Sequence, residues 1–320
     1  MTEEAEEVAK KQKVELVNRA FVFLKPHAQL PAVRDWARKV LQDRGLVVES
    51  EGQINGPEID KKRLIDQHYY AIASKATLLS PDKLPVSADK FQEKFGVAWD
   101  EVLKAGKAKN AMEACEEFGL TPDDLQVHWK ACNERKDFVK LGGGFYCGHM
   151  DLKGNEVYVF NPFFMSMRAK FAAADASIYY YVVSWDPAIL SWADFRAKLL
   201  GTTNPAEAPL GSLRRESLEK WQELGLPSAP DSSSNTVHAS ASPFESLAER
   251  INWLGGAISE DAFGSALLQR GMDEARVKEW FNDPRVTQEN KTEQKSIYDS
   301  VEDLDVEDCL EKVLLLNGVN

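Results

Sequence analysis

Several of the features that most readily reveal a protein's work are scarce in this chain. Only four cysteines, Cys115, Cys132, Cys147 and Cys309, occur among its 320 residues. None lies close to another in sequence, so reduced thiols are expected rather than a disulfide framework. Cys115, Cys132, Cys147 and His149 carry the atom types of a zinc site, but their separations are far from the short knuckles that hold that ion, and no metal is expected there. No apolar run is long enough for a membrane-spanning helix. Lys and Arg number 39 against 51 Asp and Glu, a net charge of −12, and no basic run forms a face. That balance argues against nucleic acid as a partner, and an anionic small molecule would need a local basic pocket. The opening MTEEAEEVAKKQKVELVNR is acidic and helical in composition, unlike a secretory signal or an acid-poor transit peptide, so a cytoplasmic location is expected. Gly142, Gly143 and Gly144 are followed by no Gly-Lys-Ser or Gly-Lys-Thr, and they read as a flexible joint rather than a phosphate loop.

What is present begins with RAFVFLKP, a short apolar run that reads as a buried strand delivering Lys25 to its end. Ala32, Val33, Trp36, Val40 and Leu41 then recur at helical spacing until Gly45. LVVESEGQI reads as a second strand and IDKKRLIDQHYYAIASKA as one helix. From about residue 76 short helical segments dominate, up to a hairpin in KLGGGFYCGHMDLKGNEVYVF that turns at Lys153-Gly154-Asn155. IYYYVVSW is dense in aromatic and β-branched residues and is the strongest strand signal in the chain. SWADFRAKLLG reads as a short helix, and two polar loops follow it, the second leading to His238.

Histidine is also scarce, with five in the chain, and His238 stands just before a well-marked helix. Ser242, Pro243 and Glu245 read as N-cap, first helical residue and N3. Phe244, Leu247, Ala248, Ile251 and Leu254 form its apolar face, which leaves Glu245, Glu249 and Arg250 to water. A histidine near the positive end of that helix favours a neutral imidazole, able to attack an electrophile at pH 7.

Five segments occur here in the order found in nucleoside diphosphate kinases: FLKP with Lys25, QHY ending at Tyr69, NPFF at 161–164, GTTNPAEAPLGSLR at 201–214 and NTVHASAS at 235–242. The stretch 20–256 resembles that domain. The resemblance implies an α+β fold, a ferredoxin-like antiparallel sheet covered by helices. By the same reading a charged tail, 1–19, precedes the domain, a mostly helical subdomain is inserted at 76–158, and a helical, acidic extension fills 257–320.

The resemblance also implies a reaction, in which His238 takes the γ-phosphoryl group of ATP or another nucleoside triphosphate and passes it to a nucleoside diphosphate, with Mg2+ accompanying the nucleotide. Lys25 would hold the transferring group and Tyr69 would help to position it. Thr203 and Arg214 would contact the phosphates, Asn235 the sugar and phosphate region, and Phe163 with Met167 would sandwich the base. Ser240 would orient the site. Glu249 is the best match to the glutamate that orients the histidine, and Arg196 lies one position early for the family's short-helix arginine. The family's lysine-proline-aspartate-glycine is Lys25-Pro26-His27-Ala28 here, and the residues after the histidine are Ala239-Ser240-Ala241-Ser242, so two carboxylates are missing from the neighbourhood. Those losses and the insertions support an alternative, a nucleotide-binding or scaffold protein with little turnover. Assembly into a homo-oligomer and a protein partner at the insertion or the C-terminal helices both stay open.

Overall fold

The computed structural model describes residues 16–289 and 292–319, so the charged tail expected at 1–19 lies mostly outside the described residues. Two compact units are formed, one from Met1–Ile54 with Ser177–Asn320 and the other from Asn55–Ala176. The strands in chain order are β1 (Asn18–Leu24), β2 (Val47–Asn55), β3 (Ala108–Asn110), β4 (Phe138–Gly142), β5 (Phe145–Leu152), β6 (Asn155–Phe160), β7 (Ser177–Trp185), β8 (Val237–Ala239), β9 (Arg285–Thr287) and β10 (Gln294–Ser296).

In the first unit β1 runs between β7 and β8 in the order β2-β7-β1-β8, the strand order of a ferredoxin-like sheet. Its pairing is antiparallel on both sides, from Asn18 opposite Trp185 to Leu24 opposite Tyr179, and with Phe23 opposite His238. Central placement explains the unbroken apolar run of NRAFVFL, because both faces of the strand are covered. Ala20, Val22 and Leu24 pack with Val33, Ala37 and Leu41 of α1 (Pro31–Asp43) and with Leu213 of α2 (Leu213–Glu219). Phe21 and Phe23 point the other way, and their rings meet that of Trp253 in α3 (Pro243–Leu254) at 6.2 and 5.7 Å.

The same α3 builds a second core. Phe244 and Leu247 pack against Leu267 of α4 (Ala262–Gln269), Trp280 of α5 (Glu274–Trp280) and Leu310 and Val313 of α6 (Val306–Val319). The residues after 256, read as a helical extension, pack in the first unit. A polar junction ties them in: Asp305 Oδ1 accepts from Asn18 Nδ2 at 2.6 Å and from the Trp192 amide at 2.7 Å, while the Val306 amide donates to Asn18 Oδ1 at 2.9 Å.

The second unit departs from expectation. The segment 76–158 carries more helix than strand, but beyond the expected hairpin it supplies most of a four-stranded sheet, β3-β6-β5-β4, in which β3 is parallel to β6 and the other pairs are antiparallel. The β5–β6 hairpin turns at Lys153 and Gly154, whose φ values of 56° and 83° suit a two-residue turn, and Asn155 is already paired with Leu152. Of the three glycines, Gly142 ends β4 and pairs with Phe145, while Gly143 and Gly144 form the turn into β5. The single helix expected over 59–76 is broken into Gly56–Lys61, Leu64–His68 and Tyr70–Ala73 and ends in a π turn, Ser74–Leu78. Arg63 interrupts it with φ 56°. The reason is tertiary: fully buried Asp66 accepts from Arg168 Nε at 3.0 Å and from Thr77 Oγ1 at 2.5 Å, and those partners set the local path.

No helix among the described residues is long and apolar enough to cross a membrane. The Asn18–Asp305–Trp192 junction should be a measurable share of stability. Asp305→Ala leaves a buried amide and a backbone N–H without their acceptor, and equilibrium denaturation should show a loss of about 1–3 kcal/mol.

Candidate active site

The site grows from the pleat of β8. Val237 and Ala239 face the core shared with α1, so His238 and Ser240, at alternating positions, face α3. His238 lies on a strand, paired with Phe23 of the central β1, rather than in a loop one turn above the helix. Its ring stacks on that of Phe23 with centroids 4.7 Å apart and planes inclined by 29°, and only 17% of the side chain is exposed.

One carboxylate on α3 then serves both side chains. Glu249 Oε1 lies 2.7 Å from His238 Nε2, and Glu249 Oε2 accepts from Ser240 Oγ at 2.5 Å. Ser240 is fixed in turn, since its hydroxyl oxygen accepts from the Phe21 amide at 3.0 Å and its own amide donates to the Phe21 carbonyl at 3.0 Å. A carboxylate can only accept, so the imidazole carries a proton on Nε2, and in its neutral form the lone pair is on Nδ1.

The expectation that Glu249 and Arg250 are solvated is overturned, for both are buried. Counting apolar residues finds one face of α3, but the helix lies between β8, β1 and the C-terminal helices, and its charged residues have partners on those sides. Arg250 donates to the Arg19 carbonyl at 3.1 Å, to Ser246 Oγ and to Asp261 Oδ2 at 2.7 Å. Glu245 is half-buried, and its carboxyl is lifted well above the usual range by burial and then by the neighbouring Glu249 charge. Leu254, expected in the core, is exposed.

Cations surround the histidine. Lys25 follows the last residue of β1, and its Nζ donates to Asn235 Oδ1 at 2.6 Å. Asn235 Nδ2 donates in turn to the carbonyl of Thr203, whose side chain stands in an exposed loop. Arg214, on α2, holds the backbone beside the histidine: Nε and Nη2 donate to the Val237 carbonyl at 3.2 and 3.0 Å, and Nη1 to the Gly201 carbonyl at 2.9 Å. Gly201 permits this contact with φ 88°, and a Cβ there would come within 2.5 Å of Ser212 Oγ. Arg196 lies on the π turn Phe195–Leu200, its Nη1 2.6 Å from Glu302 and 2.7 Å from Asp303. Burial, followed by the charges of Lys25, Arg214 and Arg196, pushes the His238 pKa well below the ordinary histidine value. The ring is therefore neutral at pH 7.

Lys25, Arg214, Asn235, Ser240 and Glu249 thus gather around His238 within the first unit, whereas Tyr69, Phe163 and Met167 belong to the second. There Phe163 and Met167 are half-buried against one apolar cluster, and the Phe163 ring lies 6.1 Å from Trp129 and 5.8 Å from Tyr146. Tyr69 joins the same cluster. Cys115 and Cys132 are buried thiols whose pKa values burial raises to about 11, and His149 lies between Asp137 at 3.2 Å and Glu156 at 3.0 Å. Sequence reasoning missed Phe23 as the surface under the imidazole and missed Glu302 and Asp303 altogether. Apolar alternation gives Phe23 a strand position and no more, and nothing local links 302–303 to Arg196.

No protein-family model matches this chain, and no curated protein matches it. Among solved structures the likeness is to nucleoside diphosphate kinases. That of Pyrobaculum aerophilum is 17% identical, with 75% of this chain and 96% of that one covered and a TM-score of 0.35. That of Encephalitozoon cuniculi is 14% identical, covering 74% and 89%, with a TM-score of 0.36. That of Aquifex aeolicus is 13% identical, covering 75% and 97%, with a TM-score of 0.33. The likeness is distant, and the chemistry of the site stands on its side chains.

A long-range proton–nitrogen correlation spectrum of the labelled protein should show the His238 ring neutral at pH 6 with its proton on Nε2. A doubly protonated ring at that pH would contradict the effect of burial and of the neighbouring cations, and a proton on Nδ1 instead of Nε2 would contradict the Glu249 bond.

Proposed function

We propose that the protein is a phosphotransferase of the nucleoside diphosphate kinase type, working through a phosphohistidine at His238. The observation that carries this reading is the short bond from His238 Nε2 to buried Glu249, because it leaves the Nδ1 lone pair as the nucleophile. In the first half-reaction Nδ1 forms a bond to the γ-phosphorus while the bond from that phosphorus to the β,γ-bridging oxygen breaks, and the nucleoside diphosphate departs with the electron pair. The ring becomes cationic as the P–N bond forms, and the Glu249 carboxylate on its Nε2–H stabilises that charge. Attack by the terminal phosphate oxygen of an acceptor diphosphate reverses the sequence and restores the neutral imidazole.

Phosphoryl transfer depends mainly on alignment and on neutralising the oxygens that gain charge. Lys25 supplies an ammonium that is bonded to Asn235, and Arg214 adds positive charge while holding the Val237 carbonyl. Lys25, Arg214 and Asn235 Nδ2 are donors, suited to phosphate oxygens rather than to a metal ion. Mg2+ therefore enters as part of the nucleotide substrate, held by its phosphates. The reading does not depend on Tyr69, Phe163 or Met167, whose contact with the base is part of the proposal inherited from the resemblance.

One observation favours the alternative of nucleotide binding with little turnover: Arg196 is held by two carboxylates, so a cation of the site is already engaged. Incubation with γ-labelled ATP separates the two. The proposed enzyme acquires an acid-labile, alkali-stable label that it surrenders to GDP, and His238→Ala, checked for folding by circular dichroism, acquires none. Lys25→Ala should lower kcat/KM by about 10²–10³-fold, the usual effect of deleting one donor to a developing anion. Binding of nucleotide without any label on the wild-type protein would decide for the alternative.

A further inference from the structure

The part of the C-terminal region that reaches the site is the acidic segment Glu302-Asp303-Leu304-Asp305. Two of its residues, Asp303 and Asp305, are held by contacts that do not involve Arg196. The Asp303 amide donates to the carbonyl of Ala241, three residues beyond His238, at 3.0 Å, and Asp305 is fixed between Asn18 and Trp192. Beside those anchors the carboxylates of Glu302 and Asp303 converge on a single nitrogen, Nη1 of Arg196, at 2.6 and 2.7 Å. Two acids on one guanidinium leave a surplus negative charge, an arrangement that resembles a phosphate group meeting an arginine.

The pairing is also open to exchange. Both carboxylate side chains are 47% exposed and Arg196 is 27% exposed, so water reaches the ions and their attraction is weak. The buried Arg250–Asp261 pair, with side chains only 9% and 10% exposed, shows what a permanent ion pair looks like in the same unit. Arg196 is moreover among the cations whose field reaches His238.

We propose that Glu302 and Asp303 occupy Arg196 as an internal substitute for a nucleotide phosphate, so that a nucleoside diphosphate or triphosphate must displace them to engage that arginine. They are positioning residues: they set nucleotide affinity through Arg196 and touch no reacting atom. The inference rests on the function proposed for His238, but it concerns binding and can fail separately.

The test compares Mg·ADP binding by calorimetry in the wild type, Glu302→Gln/Asp303→Asn, Arg196→Ala and the triple variant. Gln and Asn preserve size, and Asn tolerates the left-handed backbone of residue 303, where φ is 63°. Removing the two charges should tighten Mg·ADP binding by about three- to tenfold, an amount in keeping with releasing an exposed ion pair. The KM for nucleotide should fall in proportion while kcat does not rise. In the Arg196→Ala background the same two substitutions should leave affinity unchanged. Equal or weaker binding by the double variant overturns the inference, as does the same gain with and without Arg196. A lower melting temperature with unaltered affinity marks a purely structural strap and also overturns it, and so does failure of every form to bind Mg·ADP. If the affinity pattern is found but no phosphohistidine forms in the wild type, displacement stands and the catalytic reading falls.

Discussion

The carboxylate of Glu249 is the point on which the first unit's polar architecture turns. It accepts from the imidazole of His238 in β8 and from the hydroxyl of Ser240 just beyond that strand, and that hydroxyl is locked to the backbone of Phe21 in the central strand. A buried carboxylate is costly unless its lone pairs are used, and here both oxygens are. Helix α3 must therefore lie over β8 at one rotation about its axis, the rotation that also places Trp253 against Phe21 and Phe23 and Phe244 in the second core. The orientation of the histidine and the packing of the helix are two results of one constraint.

Positive charge is assembled against the general trend of the molecule. The chain is strongly acidic, yet Lys25, Arg214 and Arg196 come from three separate stretches to the neighbourhood of one imidazole. Each is held by neutral or acidic partners: an asparagine carbonyl, two backbone carbonyls, and a pair of carboxylates. These differ in how firmly they hold. Arg214 is spread across two carbonyls that the fold needs, whereas Arg196 meets solvent-exposed acids, so the cations of the site differ in how freely they can turn to an anion.

The C-terminal residues enter this picture as structure rather than appendage. They complete the second core under α3 and hold the start of β1 through Asn18. Their acidic composition reads, along the chain, as a helical acidic extension. In the folded unit it places Asp305 under the Trp192 amide and Glu302 with Asp303 on Arg196, so the charge has positional meaning that composition alone does not carry.

Local physics made much of this legible in advance. The apolar run at 18–24, the aromatic and β-branched run at 177–185, the Ser242–Pro243 helix start and the Lys153–Gly154 turn each depend on neighbours within a few residues, and each stands where its residues imply. His238, Lys25, Ser240 and Glu249 are candidates on short local segments alone, and it is the fold that brings them into one neighbourhood. What only the tertiary structure decided depends on partners far along the chain: the burial of Glu249 and Arg250, the break at Arg63 beside buried Asp66, the sheet within 55–176, and the capture of Arg196 by residues more than a hundred positions away. Periodicity records which residues prefer to leave water. It cannot record which buried charge finds its counter-charge, since that pairing exists only once the strands and helices have been brought together.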